Sequence, residues 1–450
     1  MDVSTFTDTY LPNINGATYT ISLWKEKWNE GYDGRMTVTY PGSSKHESDR
    51  YEYPVRSLPF PFYEGMKLGL PLPTGLGGLF RVLARNDRVS DTKSRFYDDS
   101  YLGYTSILRR GSRNIRGSFS DTEDTYLGIL KPDRPLSGEN SFRLPDDVCD
   151  ADIIHVHSPF ALGMAGAQIA LSKDLPLVVN YHTPTDEYVK YITDNESLKK
   201  RLKAINDWWE QRYLTHADVV ITPSRQARAW LDDKGVEREK VVSLPNGIDT
   251  EFFRPLDSDD FKDRYGLESP VIGYCGRHGY EKRLDDVVEA ATLLDDDVDV
   301  VLVGDGPART DFMEQAKELG VDDMITFPGF IEREALPEFY SSLDAFVFPS
   351  DAETEGLVAL EATACGTPVV AADARGLKNT VKHGNNGYRY EPGEIDKLVE
   401  GVRYVLDRQE SLSSNCLDMR SSIKVENTID KLKKIYVALN RDGGFSRECL

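Results

Sequence analysis

Cysteine is scarce in this chain. Five are spread over 450 residues (Cys149, Cys275, Cys365, Cys416 and Cys449), and no two stand in CxxC spacing. An odd, scattered set argues against a disulfide framework or a cysteine zinc site and fits a reducing cytosol. Basic charge is also short: 54 Lys and Arg face 75 Asp and Glu, for a net charge of −21. A nucleic-acid partner needs a basic footprint, so none is expected. Long apolar runs are missing, and no charged-then-apolar leader opens the chain. The expectation is a cytoplasmic protein that neither spans a membrane nor carries a secretion signal. Neither half has GxGxxG between its first strand and helix, which argues against a dinucleotide-dependent oxidoreductase.

What is present is enough to build cores, with 40% hydrophobic and 10% aromatic residues. At this length two domains are expected rather than one. The acid excess comes partly in runs such as Asp295-Asp296-Asp297. Two readings stay open for it: adaptation to a high-salt cytoplasm, or a surface kept soluble by charge.

Short apolar strands alternate with turns and helices in both halves. The first has strands at Val3–Phe6, Asp152–His157 and Leu177–Asn180, with helices predicted from Ala17 to about Trp28 and from Ser158 to Leu171. Tyr19, Leu23 and Lys27 are expected along one face of the first helix. The second half has strands at Val271–Tyr274, Val298–Val303 and Met324–Phe327, and helices at Leu284–Leu294 and Ala308–Leu319. Such units predict two α/β domains with doubly wound parallel sheets. Ligands sit at the carboxyl ends of such strands, so the two domains are expected to face each other across a cleft. The predicted boundaries are 1–245 and 246–428, with a hinge from Pro245 to Pro255. A last helix, within 429–450, follows. A polar insert at about 89–140 carries a basic cluster, Arg109, Arg110, Arg113 and Arg116. It reads either as a solvated loop or as a contact for anionic head groups.

The most informative run begins at Phe346: FVFPSDAETEGLVALEATACGTPVV. A strand ends at Pro349, a loop carries Glu353, and Gly356 opens a helix bearing Glu361. Two carboxylates with seven residues between them suit sugar and ribose hydroxyls. The free N–H groups of Gly356 and Leu357 at the helix start suit a diphosphate. Upstream, Arg277 and Lys282 have four residues between them in a loop after a strand, where two cations can reach one diphosphate. The Glu pair resembles the signature of the family 4 retaining glycosyltransferases of GT-B fold, and the Arg–Lys pair matches that family's donor-phosphate residues. The N-terminal loop and the Tyr181-His182-Thr183 segment are most similar to members acting on lipids, such as diacylglycerol glucosyltransferases and sulfoquinovosyl transferases.

The resemblance implies a metal-independent hexosyltransferase with no cofactor beyond its nucleotide-sugar donor. It puts Glu361 on ribose, Glu353 on the donor sugar, Arg277 and Lys282 on the diphosphate, and His182 near the transferred sugar. It further implies backbone approach to the donor phosphate or the acceptor at Gly16, a turn beneath the nucleotide at Gly304, and contact with the base near Gly329 and Phe330. His155 and His157 are expected to be core or supporting residues. Glu355 stands where the family commonly has Phe or Gly. The C-terminal helix is expected to return to the first domain. The acceptor is expected to be a lipid or glycan, with peripheral docking on the cytoplasmic face of an anionic membrane. Candidate docking residues are Arg109, Arg110, Arg113, Lys199, Lys200, Arg201, Lys203, Trp208 and Trp209. A soluble acceptor, a sugar-nucleotide 2-epimerase of the same fold and a non-catalytic scaffold stay open.

Overall fold

In the computed structural model the described residues are 1–13, 15–43, 46–55, 57–59, 67–69, 144–182, 200, 203–204, 207, 210–211, 214–232, 234–257, 259–268, 270–295 and 297–442. The chain divides into two compact units. One comprises Met1–Thr222, Trp230–Val242 and Leu432–Leu450; the other comprises Pro223–Ala229 and Ser243–Lys431. The 89–140 insert and its arginines lie outside the described residues, as do Lys199, Arg201, Trp208 and Trp209.

The first unit is built on a seven-stranded sheet. Its strands are β1 (Val3–Phe6), β2 (Met36–Pro41), β3 (Glu52–Val55), β6 (Ile153–Val156), β7 (Leu177–Asn180), β8 (Val219–Thr222) and β9 (Val241–Ser243), in the order β3-β2-β1-β6-β7-β8-β9. A small antiparallel pair, β4 (Ser57–Pro59) and β5 (Lys67–Gly69), stands apart. The ladders from β3 through β8 are parallel. All four residues of β1, β6 and β7 are buried. Helices covering both faces of a parallel sheet require that pattern, which is why these strands are mostly apolar or β-branched rather than alternating, with Ser4, His155 and Asn180 as buried polar exceptions.

Helix α1 (Gly16–Gly31) starts one residue earlier than predicted, because Asn15 caps it: its Oδ1 accepts from Thr18 N–H at 2.9 Å. The buried face also differs. Thr18, Thr20, Ile21, Trp24, Lys25 and Trp28 point inward, whereas Tyr19, Leu23 and Lys27 are only half-buried. Lys25 can be buried because Asp49 and Glu52 each meet its Nζ at 2.5 Å, neutralising a charge that burial alone would expel. Helix α2 (Ala161–Lys173) follows β6.

The second unit carries a six-stranded, all-parallel sheet. Its strands are β10 (Val271–Cys275), β11 (Asp299–Val303), β12 (Ile325–Gly329), β13 (Ala345–Phe348), β14 (Val369–Ala372) and β15 (Gly387–Tyr390), in the order β12-β11-β10-β13-β14-β15. Around it lie α3 (Leu284–Ala291), α4 (Arg309–Leu319), α5 (Leu357–Ala364) and α6 (Ile395–Leu406). Tyr274, Phe346, Phe348, Tyr340 and Phe253 form a buried aromatic cluster under β10 and β13. Each sheet therefore has the crossover pattern that places loops at the carboxyl ends of the strands. The final helix, α7 (Val425–Asp442), spans the division between units. Its part from Leu432 onward belongs to the first unit, where Tyr436 is buried against Trp28, with ring centroids 5.4 Å apart.

Candidate active site

The loops at the carboxyl ends of β10, β11 and β13 bring the predicted charged residues together. After β10 the chain makes one turn of 3₁₀-helix, Tyr280–Lys282, which aims the Lys282 ammonium at Glu353 after β13. Ser350 Oγ donates to the same Glu353 oxygen at 3.1 Å and to Glu281 O at 3.3 Å. Burial works against the Lys282 charge, but the Glu353 carboxylate outweighs it and raises the lysine's pKa. Arg277 lies 3.5 Å from Glu281 Oε1. Lys282 and Glu353, one from each of the two predicted charged pairs, are thus in direct contact.

The turn after β11 is stitched to this loop. His278 N–H donates to Asp305 O at 2.9 Å, and Ala308 N–H to His278 O at 2.9 Å. A Cβ on Gly304 would stand 1.9 Å from Gly276 O, and its φ is +125°. Glycine is therefore required here for approach and for backbone conformation alike. Gly304 N–H donates to Gly329 O at 2.8 Å, and the next residue, Phe330, is 55% exposed. An exposed ring at the edge of a strand terminus offers a flat apolar surface.

Gly356 precedes α5 with φ +87°, and a Cβ there would meet Leu377 Cδ2 at 2.5 Å. The N–H groups of Gly356 and Leu357 find no backbone acceptor among the described residues. Such a helix start has the N–H groups that an anion would need. Glu361, on the same helix, accepts from Tyr340 O–H at 2.7 Å. Burial raises its pKa, with the Tyr340 bond and the Arg333 charge opposing.

In the first unit, His182 follows β7, half-buried, with Nε2 2.9 Å from His157 Nδ1 and 3.5 Å from Asn180 Nδ2. Burial lowers its pKa to about 4, so the imidazole is neutral at pH 7. His155 and His157 are buried, as expected of supporting residues. Gly16 is the exposed first residue of α1 rather than a loop residue. Among the described residues, no cluster of His, Cys, Asp and Glu could hold a metal ion.

Comparisons with known proteins bear on what this arrangement belongs to. The family model described as "Glycosyl transferases group 1" matches residues 257–417, and that described as "Glycosyltransferase Family 4" matches residues 123–252. An alpha-monoglucosyldiacylglycerol synthase of Streptococcus pneumoniae is 31% identical over 344 residues, covering 74% of each chain. The chain belongs to the family 4 glycosyltransferases. A sulfoquinovosyl transferase of Arabidopsis thaliana is 31% identical over 62% of this chain and 54% of its own, so the match spans about half of that relative. Among solved structures, the Anabaena protein HepE in complex with UDP and glucose covers 98% of this chain and 100% of its own, at TM-score 0.66 and 18% identity. Sucrose-phosphate synthase from Thermosynechococcus elongatus covers 97% and 98% at TM-score 0.62 and 19% identity. Both share the GT-B fold expected from the sequence.

Three features of this glycosyltransferase escaped the sequence reading. Glu355 is buried, and its carboxylate accepts from Asn246 N–H at 3.0 Å and from Asn246 Nδ2 at 2.6 Å. Desolvation raises its pKa to about 8, against the pull of those two bonds. Asp8 is likewise buried. It accepts from Ser158 Oγ at 2.7 Å and from Leu162 N–H at 3.0 Å, so it caps α2 from a loop 154 residues away. The third is a hydrogen-bonded chain behind His182 that reaches α7. Apart from Asn180 and His182, the partners are distant in sequence, so no spacing rule could have paired them.

Proposed function

We propose that this glycosyltransferase moves a hexose from a nucleoside-diphosphate sugar to a hydroxyl of a membrane lipid, with retention at the anomeric carbon. The contact between Lys282 and Glu353 carries the reading. It makes one site of the diphosphate cation and the sugar carboxylate, so donor phosphate and donor sugar would be bound side by side. Arg277 and Lys282 would take up negative charge as the nucleoside diphosphate departs, with the Gly356 and Leu357 N–H groups as further donors. Glu361 would hold ribose, Glu353 the sugar hydroxyls, and Phe330 the base. His182 is assigned a hydrogen bond to the transferred sugar. Attack would come on the face from which the leaving group departs. The acceptor O–C1 bond forms as the C1–O phosphate bond breaks, and the acceptor proton passes to a β-phosphate oxygen.

The lipid acceptor is supported by the names of the relatives, one a monoglucosyldiacylglycerol synthase and one a sulfoquinovosyl transferase. The nucleotide-sugar donor is supported by the UDP and glucose bound in the HepE structure. None of the described helices is long and apolar enough to cross a membrane; access to lipid would be peripheral. Lys200 and Lys203, both exposed, are candidate contacts.

The division of labour between the glutamates is testable. Glu353→Gln should lower turnover about 100-fold while nucleoside-diphosphate affinity, read by calorimetry, changes less than about twofold. A collapse of nucleotide binding in that variant would show that Glu353 holds the nucleotide and not the sugar.

A further inference from the structure

Behind His182 runs a continuous chain of polar groups inside the first unit. Tyr436 OH lies 2.6 Å from His155 Nδ1. His155 Nε2 lies 3.0 Å from Asn180 Oδ1. Asn180 Nδ2 is 3.5 Å from His182 Nε2, and His157 Nδ1 is 2.9 Å from that same nitrogen. Trp24 closes the side of the chain, its ring stacked on His155 at 6.1 Å.

The direction of each bond follows from what each group can donate. Tyr436 is completely buried, and among the described residues its hydroxyl meets only His155. Were Tyr436 to accept there, its own proton would be buried without a partner, which is costly. Tyr436 therefore donates, and His155 Nδ1 accepts. His155 must then carry its proton on Nε2, which donates to Asn180 Oδ1. That fixes the amide so that its NH₂ faces His182 Nε2. An amide N–H facing that nitrogen at 3.5 Å opposes a proton on it, so its one lone pair accepts from His157 Nδ1 at 2.9 Å. The remaining proton of His182 sits on Nδ1, which has no partner among the described residues.

We propose that Tyr436 is a positioning residue that, through His155 and Asn180, holds His182 in the tautomer protonated on Nδ1, ready to donate a hydrogen bond to a sugar hydroxyl oxygen. The final helix thus acts on the reaction without touching substrate. Its second half is joined to the first unit by a bond that reads out on the side chain after β7. The proposal rests on the reading of His182 as a sugar contact only for its catalytic consequence; the tautomer itself does not depend on it.

The test uses the full chain labelled with ¹⁵N histidine, and reads ring-nitrogen shifts together with steady-state kinetics. His182→Ala serves to assign the resonance. The native protein should show His182 as the Nδ1–H form. Tyr436→Phe should move it toward the Nε2–H form or an exchanging mixture, and lower turnover roughly fivefold to tenfold with the donor KM changed less than about twofold. Trp28→Phe, which alters the packing on the Tyr436 ring but no bond of the chain, should leave the tautomer as it was. A native His182 found in the Nε2–H form would overturn the proposal. So would a Tyr436→Phe spectrum unchanged at His182. A changed spectrum with unchanged turnover would support the relay and overturn instead the sugar contact assigned to His182.

Discussion

At the scale of the residue, the candidate site is built from two pairs of charged groups, each pair held within one short stretch of chain. Glu353 and Glu361 share one strand–loop–helix run, and Arg277 and Lys282 share one loop, so spacing alone put each pair on one side of a strand terminus. Contact between the two pairs, through Lys282 and Glu353, needed the register of β10 beside β13. What stayed hidden were buried polar groups whose partners are far away in sequence. Glu355 and Asn246 are 109 residues apart, and Tyr436 and His155 are 281 apart. Lys282→Met tests the electrostatic role of the cation. It removes the charge proposed to meet the leaving group and leaves Glu353 without its ion-pair partner, so kcat should fall on the order of 100-fold. Steady-state kinetics with saturating donor would show it. A loss confined to KM would mean that Lys282 contributes binding equally in ground and transition states.

Among the elements, β1, β6, β7, β10, β11, β12 and β13 were readable as short, mostly apolar runs, whereas β2 and β8, also buried throughout, were not predicted. The edge strands β3, β9 and β15 are short and mixed in character, and they were not distinguished from loops. The register of α1 went astray for a similar reason. A buried lysine looks like a solvent-facing one until Asp49 and Glu52 are seen beside it. The turn after β11 gives a stability prediction. Gly304→Ala forces a Cβ to within 1.9 Å of Gly276 O at a φ of +125°, and should cost at least ~2 kcal/mol in urea unfolding of the second unit. The segment at Asn246 gives a pH prediction. The Glu355 carboxyl titrates near 8 in the folded protein, above the value of 4.5 for an exposed glutamate. The folded state therefore binds an extra proton between those values, and stability falls as pH rises through that window, levelling off above about 8. Melting temperature should decline from pH 6 to 8.5, and Glu355→Gln should flatten that decline. An identical slope in the variant would place the titrating group elsewhere.

For the whole molecule, length and composition pointed to two α/β units, and two parallel sheets are what the chain forms. The family was legible too, through motifs that fall at the carboxyl ends of strands, where this architecture puts ligands. The lipid acceptor was suggested only through the family resemblance, since no pattern in an acidic composition specifies a lipid. A net charge of −21 repels an anionic bilayer, so any docking must be local and basic. Such docking weakens with salt over a Debye length of about 8 Å at physiological ionic strength. Activity on vesicles with anionic lipid should accordingly drop as salt is raised, while activity on detergent-dispersed acceptor should change less. The central claim is transfer of a sugar to a lipid hydroxyl. Its most direct test is to incubate the purified protein with UDP- and GDP-sugars, with and without lipid extract, and follow donor consumption and the anomeric configuration of the product. Donor should be consumed only when lipid is present, yielding a glycolipid whose anomeric configuration matches the donor's. A free epimerised nucleotide sugar, an inverted product, consumption independent of lipid, or no consumption at all would contradict it.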